Sequence, residues 1–244
     1  MVTEERAEYL GGGISIYINP DHRFGTDALL LADFASPTKR DFACDLGTGC
    51  GIIPFLWARE NKPEHCYGVE IDPDACKMAG RSVEQCNLEG RISIINADLR
   101  EVLPIANGSL SLVTCNPPYF TNGSGEHSAN HVRGRARHEL SCDINDVAKC
   151  ASKLLKFSGR LCVCQRPDRL VDTISAMKNV GIEPKRIRIV SKRVDSQPWL
   201  ILVEGKKGAK SGMVIEPLFN IQNNDGEYSE KMRKIYKMYR EEIG

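Results

Sequence analysis

Asn116-Pro117-Pro118-Tyr119 is the stretch of this chain whose residue types could most directly do chemistry. It follows an apolar run, Leu110 to Cys115, that reads as a buried strand. Proline cannot donate to a sheet ladder and fixes its own φ, so the strand must stop there in a stiff elbow. That elbow presents the Asn116 amide, the Pro117 carbonyl and the Tyr119 ring at one point. A planar substrate with an exocyclic NH2 suits it: two oxygens accept the amine hydrogens and the ring stacks on the flat face.

Asp45-Leu46-Gly47-Thr48-Gly49-Cys50-Gly51 adds a second constellation, a turn that follows one strand and opens a helix. Glycines there permit positive φ and close approach of a ligand to the backbone. They match a dinucleotide fingerprint only loosely, because the third glycine comes too early, and a purely structural tight turn would read the same way. Asp45 suits the ammonium of an amino-acid-like ligand. The next strand ends in Glu70, roughly 20 residues on, where an acid binds a ribose diol in nucleoside-binding α/β folds. Asp72 precedes Pro73 and reads as a helix cap instead. Asp98 ends a third strand, placed either to read an adenine amino group or to cap a short helix over Leu99 to Leu103.

These residues need elements to hold them at one rim. Strands are expected at Phe42 to Leu46, His65 to Ile71, Ile92 to Ala97, Leu110 to Cys115, Arg160 to Gln165, Arg186 to Val190 and Leu200 to Glu204. Helices are expected at Ile52 to Glu60, Pro73 to Asn87, Asp143 to Leu155 and from Pro167 to near Gly181. Such alternation implies an α/β fold with a mostly parallel seven-stranded sheet and helices on both faces. Residues 1–40 form an N-terminal extension with a strand at Gly13 to Ile18 and a helix at Asp27 to Phe34. Residues 41–210 form the main domain. Residues 211–244 end in a basic helix, Tyr228 to Ile243, packed on that domain. Between residues 120 and 142 runs a polar connection carrying Arg133, Arg135, Arg137 and His138, long enough to be either functional or unstructured.

The totals set bounds. With 41% hydrophobic and 27% charged residues and a net charge of +1, the chain reads as an ordinary soluble protein, and attraction to a polyanion must come from local patches. Neither a secretory signal nor an apolar run long enough for a bilayer is visible, so the expected compartment is the cytoplasm. Ten cysteines include no C-x-x-C pair. Cys162 and Cys164 fall on one face of a strand, and the set reads as buried thiols in a reducing compartment rather than a zinc site or disulfide framework.

The order Asp-x-Gly-x-Gly-x-Gly, acidic strand end, Ala97-Asp98, then Asn116-Pro117-Pro118-Tyr119 resembles the class I (Rossmann-like) methyltransferases that use S-adenosylmethionine (SAM). Those with this tetrapeptide act on adenine N6, guanine N2 or a glutamine amide. Phe24-Gly25-Thr26-Asp27-Ala28-Leu29-Leu30-Leu31, Arg137-His138-Glu139 and Gly226-Glu227-Tyr228-Ser229 narrow the resemblance, over nearly the whole chain, to the tRNA1(Val) adenine-37 N6-methyltransferase family. The resemblance implies that Gly25, Thr26 and Asp27 close the cofactor pocket and that Asp45, Gly47, Gly49, Glu70, Asp98 and Asn116 hold SAM. Asn116, Pro117 and Tyr119 would carry catalysis. Pro118, Tyr119, Phe120, Arg133, Arg137 and His138 would bind an adenine splayed out of a tRNA anticodon loop. Lys185, Arg186, Arg188, Lys192, Arg193 and the basic C-terminal helix are further phosphate candidates. The chemistry calls for no metal. Competing readings are a glutamine amide, a guanine N2 of rRNA or a DNA adenine as substrate, and a non-catalytic RNA-binding module. The first family carries a helical domain ahead of the SAM fold, for which the stretch before Phe42 is too short. The DNA enzymes carry a target-recognition insertion that is not visible here.

Overall fold

The structure, a computed structural model, describes residues 4–117 and 142–240. Strand β1 (Arg6–Gly11) and β2 (Ile14–Ile18) form an antiparallel hairpin, followed by helix α1 (Thr26–Ala35). Then come β3 (Phe42–Leu46), α2 (Ile52–Ala58), β4 (His65–Glu70), α3 (Pro73–Gln85), β5 (Ile92–Asn96) and β6 (Leu110–Cys115). The chain continues through α4 (Ile144–Leu154), β7 (Leu155–Gln165), α5 (Leu170–Asn179), β8 (Ile182–Ser191) and β9 (Pro198–Lys207). It closes with β10 (Val214–Ile215), β11 (Phe219–Asn220) and α6 (Glu230–Arg240).

The main sheet runs β10-β8-β9-β7-β6-β3-β4-β5, with β11 also on the outer edge of β8. Pairing is parallel from β7 across to β5, while β9 lies antiparallel to both β7 and β8. The seven expected strands are therefore joined by two short edge strands and a separate hairpin. Every residue of β6 is buried, as a central parallel strand covered on both faces requires. Side chains of β6 and its neighbour β7 alternate between two cores. Leu112, Cys162 and Cys164 point to the side of α1, α2 and α3, and Val113, Cys115, Leu161 and Val163 to that of α4 and α5.

Local signals account for most ends. Asp72 caps α3 by accepting from the amides of Asp74 and Ala75, with Pro73 in the first turn. Asp143 and Asp146 form a reciprocal capping box on α4. Other expectations need correction. No helix forms over Leu99 to Leu103; the chain makes a turn there, and Asp98 accepts from the Arg100 amide at 2.9 Å. Strand β7 starts directly from α4, five residues before the expected Arg160, because Leu155 and Gly159 are buried against β6. Strand β1 was not expected, and its burial rises along the strand from Arg6 to Gly11 instead of alternating.

Arg186 and Arg188 are not phosphate ligands in waiting. Arg186 donates to Glu204 at 2.8 Å, Glu216 at 2.8 Å and the Phe34 carbonyl at 2.7 Å, and its guanidinium lies 4.0 Å from the Phe34 ring centre. Arg188 reaches Glu216 and Asp33, both at 2.7 Å. Arg160 donates to Glu204 and to the Ala35 carbonyl, both at 2.9 Å. Carbonyls left open at the end of α1 are thereby satisfied by cations, the favoured arrangement at a helix C-terminus. The Glu204 side chain is only 12% exposed, so removing it leaves two guanidiniums facing one another. Glu204→Ala is expected to lower stability by about 2–3 kcal/mol, measured by urea unfolding. A loss below about 0.5 kcal/mol would mean that solvent screens the network.

Candidate active site

Strand register assembles the site. The chain builds outward from β3 to β4 and β5, then returns to the opposite side of β3 with β6. Ligands of open α/β sheets bind at the carboxyl ends of the strands where the order reverses in this way. Leu46 pairs with Cys115 and also with Val69. Gly47, Asn116 and Glu70, the next residue on each strand, therefore share one rim. Glu70 pairs with Asn96, which sets Asp98 two residues beyond the same edge. On the other side Cys115 pairs with Val163, placing Cys164 level with Asn116.

The glycine turn takes the backbone form that its residues permit. Gly47, Gly49 and Gly51 have φ of 71°, 56° and 83°, a region that side chains disfavour. The amides of Gly47 and Thr48 donate to the Val69 carbonyl at 2.8 and 3.0 Å. Glu70 is bound more tightly than a ribose-binding role alone would require. Its Oε2 accepts from the Gly49 amide at 2.8 Å, and its Oε1 accepts from Ile71 and Asp72 amides at 2.9 and 3.0 Å. A Cβ on Gly68 would lie 2.9 Å from the Thr48 side chain, so this strand glycine lets the turn settle on β4. A glycine inside a strand pattern is the signal that could have revealed it.

Asp45 lies beneath the turn, 2% exposed, and accepts from the Thr114 hydroxyl at 2.7 Å. Burial raises its pKa from the ordinary carboxylate value to about 7, against the lowering effect of the Thr114 hydroxyl. Thr48 is also buried, and its hydroxyl, like that of Thr114, acts on the Asp45 carboxylate to lower its pKa against the effect of burial. Cys50 packs with its thiol pushed up to about 12 by burial, which makes it an inert filler. All ten cysteines are free.

The N-terminal extension crosses this rim. Its hairpin docks on α3 through the Tyr17 amide and the Ser82 hydroxyl at 2.9 Å, with Arg81 over the Tyr17 ring. His22 comes 3.6 Å from the Asp72 carboxylate. Beyond it, Asn116 Nδ2 donates to Asp27 Oδ2 at 3.0 Å, and Thr26 shares a hydrogen bond with the Tyr236 hydroxyl of α6 at 3.3 Å. The Cys164 thiol donates to Asn116 Oδ1 at 2.7 Å. The structure thus brings Gly25, Thr26, Asp27, Asp45, Gly47, Gly49, Glu70, Asp98 and Asn116 to neighbouring strand ends. His22, Thr48, Thr114 and Cys164 were not anticipated. Asp98 is joined to Arg100 by an ion pair. Pro118, Tyr119, Phe120, Arg133, Arg137 and His138 lie outside the described residues. Among the described residues no cluster could hold a metal ion, and no helix is long and apolar enough to cross a membrane.

A family model described as the methyltransferase small domain matches residues 21–143. A "predicted O-methyltransferase" of Agrobacterium tumefaciens shares the fold with a TM-score of 0.67 at 18% identity, over 87% of this chain and 96% of its own. Geranyl diphosphate C-methyltransferase from Streptomyces coelicolor, solved with S-adenosyl-L-homocysteine, aligns with a TM-score of 0.56 at 13% identity over 75% and 80%. Fold and site together define a class I, SAM-dependent methyltransferase. Within that class the chain belongs to the methyltransferase small domain family, in the group of the tRNA1(Val) (adenine(37)-N6)-methyltransferases. The relative from Porphyromonas gingivalis is 30% identical over 189 residues, 75% of this chain and 73% of that one. The relative from Histophilus somni is 33% identical over 150 residues, and the chain spans only 62% of its length.

The residues present fit SAM. Three positive-φ glycines open backbone to a ligand, and the carboxylates of Asp45 and Glu70 lie against the turn. Asp45 gives a test of the electrostatics. Between the ordinary carboxylate pKa and about 7 the folded chain holds a proton that the unfolded chain has released, so this group's contribution to stability falls as pH rises through that window. Asp45→Asn should therefore gain on the parent as pH is raised from about 4 to about 8, by a few kcal/mol at most, read as the difference in urea midpoints. A difference that stays constant with pH would show Asp45 to be ionised throughout.

Proposed function

We propose that the chain transfers a methyl group from SAM to the N6 amine of an adenine in tRNA, adenine 37 in the anticodon loop of tRNA1(Val). The observation that carries this reading is the alignment of Asn116 with Gly47 and Glu70 at one sheet rim. It sets an amine-accepting amide beside a nucleoside-binding turn. The relatives named for this reaction support the choice of amine.

Gly47, Gly49 and Glu70 would hold the nucleoside part of SAM, with Asp98 at the adenine, Asp45 and Thr48 toward the amino-acid end and Asn116 at the methyl. SAM, when bound, supplies a methyl on a positively charged sulfur. The substrate N6 is a weak nucleophile, because its lone pair is delocalised into the ring. Asn116 Oδ1 and the Pro117 carbonyl would accept its two hydrogens, favouring a pyramidal nitrogen and fixing its line of attack. The same oxygens stabilise the positive charge that develops on nitrogen, and the proton leaves afterwards, so no strong base is needed beforehand. Tyr119 and Phe120 would stack on the base, with Pro118 shaping the elbow. Arg133, Arg137, His138, Lys192, Arg193 and the cations of α6 would meet phosphates. Residues 1–40 would close the pocket through His22 and the Gly25-Thr26 turn, while Asp27 meets Asn116.

Incubation with labelled SAM and bulk tRNA should yield N6-methyladenosine at position 37 of tRNA1(Val). Label found only on protein or only on guanosine would overturn the adenine assignment. Asn116→Ala is expected to abolish transfer, by about 1000-fold or more, while SAM affinity stays within about threefold. Equal loss of both would mean that Asn116 holds the cofactor rather than the amine.

A further inference from the structure

An asparagine can serve an incoming amine only if its amide faces the right way. Rotated by half a turn, Asn116 would present NH2 to NH2, with no acceptor for the substrate hydrogens. What fixes the orientation is therefore as consequential as the residue itself.

Two neighbours from distant parts of the chain agree on it. Asp27 stands in the first turn of α1, where the helix dipole favours a carboxylate. Gly25 makes room for it, since a Cβ there would come within 2.5 Å of Asp27 Oδ1. A carboxylate accepts and does not donate, so the 3.0 Å contact with Asn116 admits only the amide nitrogen on that side. From behind, fully buried Cys164 on β7 donates its thiol to Asn116 Oδ1. A donor at the oxygen and an acceptor at the nitrogen demand the same rotamer. An amide oxygen accepts two hydrogen bonds, so a thiol and an amine can share it.

We propose that Asp27 is a positioning residue for methyl transfer, locking the Asn116 amide with its oxygen toward the substrate amine while Cys164 supports that oxygen from the core. This rests on the role given to Asn116 above, and it assigns Asp27 a task distinct from closing the cofactor pocket. Asp27 acts through Asn116 and has no contact with the reacting atoms in this scheme.

The test uses the full chain with Asp27→Ala and Asp27→Asn. SAM affinity is measured by calorimetry and kcat at saturating SAM and tRNA. The side-chain 15N amide signal of Asn116, assigned by its absence in Asn116→Asp, is followed in the tRNA-free protein. Loss of a hydrogen bond to a charged group should lower kcat of Asp27→Ala by about 10- to 100-fold. Asp27→Asn keeps an acceptor oxygen and should recover part of that rate. Both variants should bind SAM within about threefold of the parent, which also shows that they fold. The Asn116 signal should shift in Asp27→Ala. SAM affinity weakened by about tenfold or more with kcat retained would overturn the proposal and make Asp27 a cofactor ligand. So would an unchanged kcat or an unmoved Asn116 signal in Asp27→Ala. If the parent protein leaves every tRNA unmethylated, the functional reading fails instead, and the Asn116 signal still decides whether Asp27 orients the amide.

Discussion

One constraint governs this molecule: the chain reverses its direction of sheet-building at β3. Because β4 and β6 flank the same strand in parallel, with Leu46 opposite both Val69 and Cys115, three unrelated loops must leave the sheet at the same height. No loop geometry has to be tuned to bring the glycine turn, Glu70 and Asn116 together. Hydrogen-bond register does it, and a one-residue slip would send alternate side chains to the wrong face. The full burial of β6 makes such a slip costly, since its residues feed two separate cores.

That economy leaves strain and desolvation to be absorbed near the rim. Asp45 is carried into the interior as the last polar residue before the turn, and its raised pKa records the cost. Glu70 compensates elsewhere by gathering three backbone amides that the tight turns leave open.

The sequence carried much of this arrangement in legible form, for identifiable reasons. Strand ends marked by Asp45, Glu70, Asp98 and Asn116 are linear signals, and the Asp72-Pro73 cap is local chemistry. Contacts between Asn116 and residues 48 and 89 positions away are not local: one needs the β6–β7 register and the other the placement of α1. Arg186 and Arg188 misled because a sequence displays charges without their partners, and Glu204 and Glu216 lie on other strands or beyond them. The two edge strands, each two residues long, are too short to announce themselves, and β1 starts on exposed residues that no core requires.

Helix α1 is held at both ends by different parts of the protein. Its first turn meets Asn116 through Asp27 and α6 through Thr26, while its last carbonyls are gripped by Arg160 and Arg186. Ten residues of helix make a strut roughly 15 Å long. The antiparallel edge of the sheet is thus mechanically continuous with the Asn116 amide. Glu204 and Glu216, by holding the arginines that grip the last carbonyls of α1, bear on the placement of Asn116, which neither side chain touches.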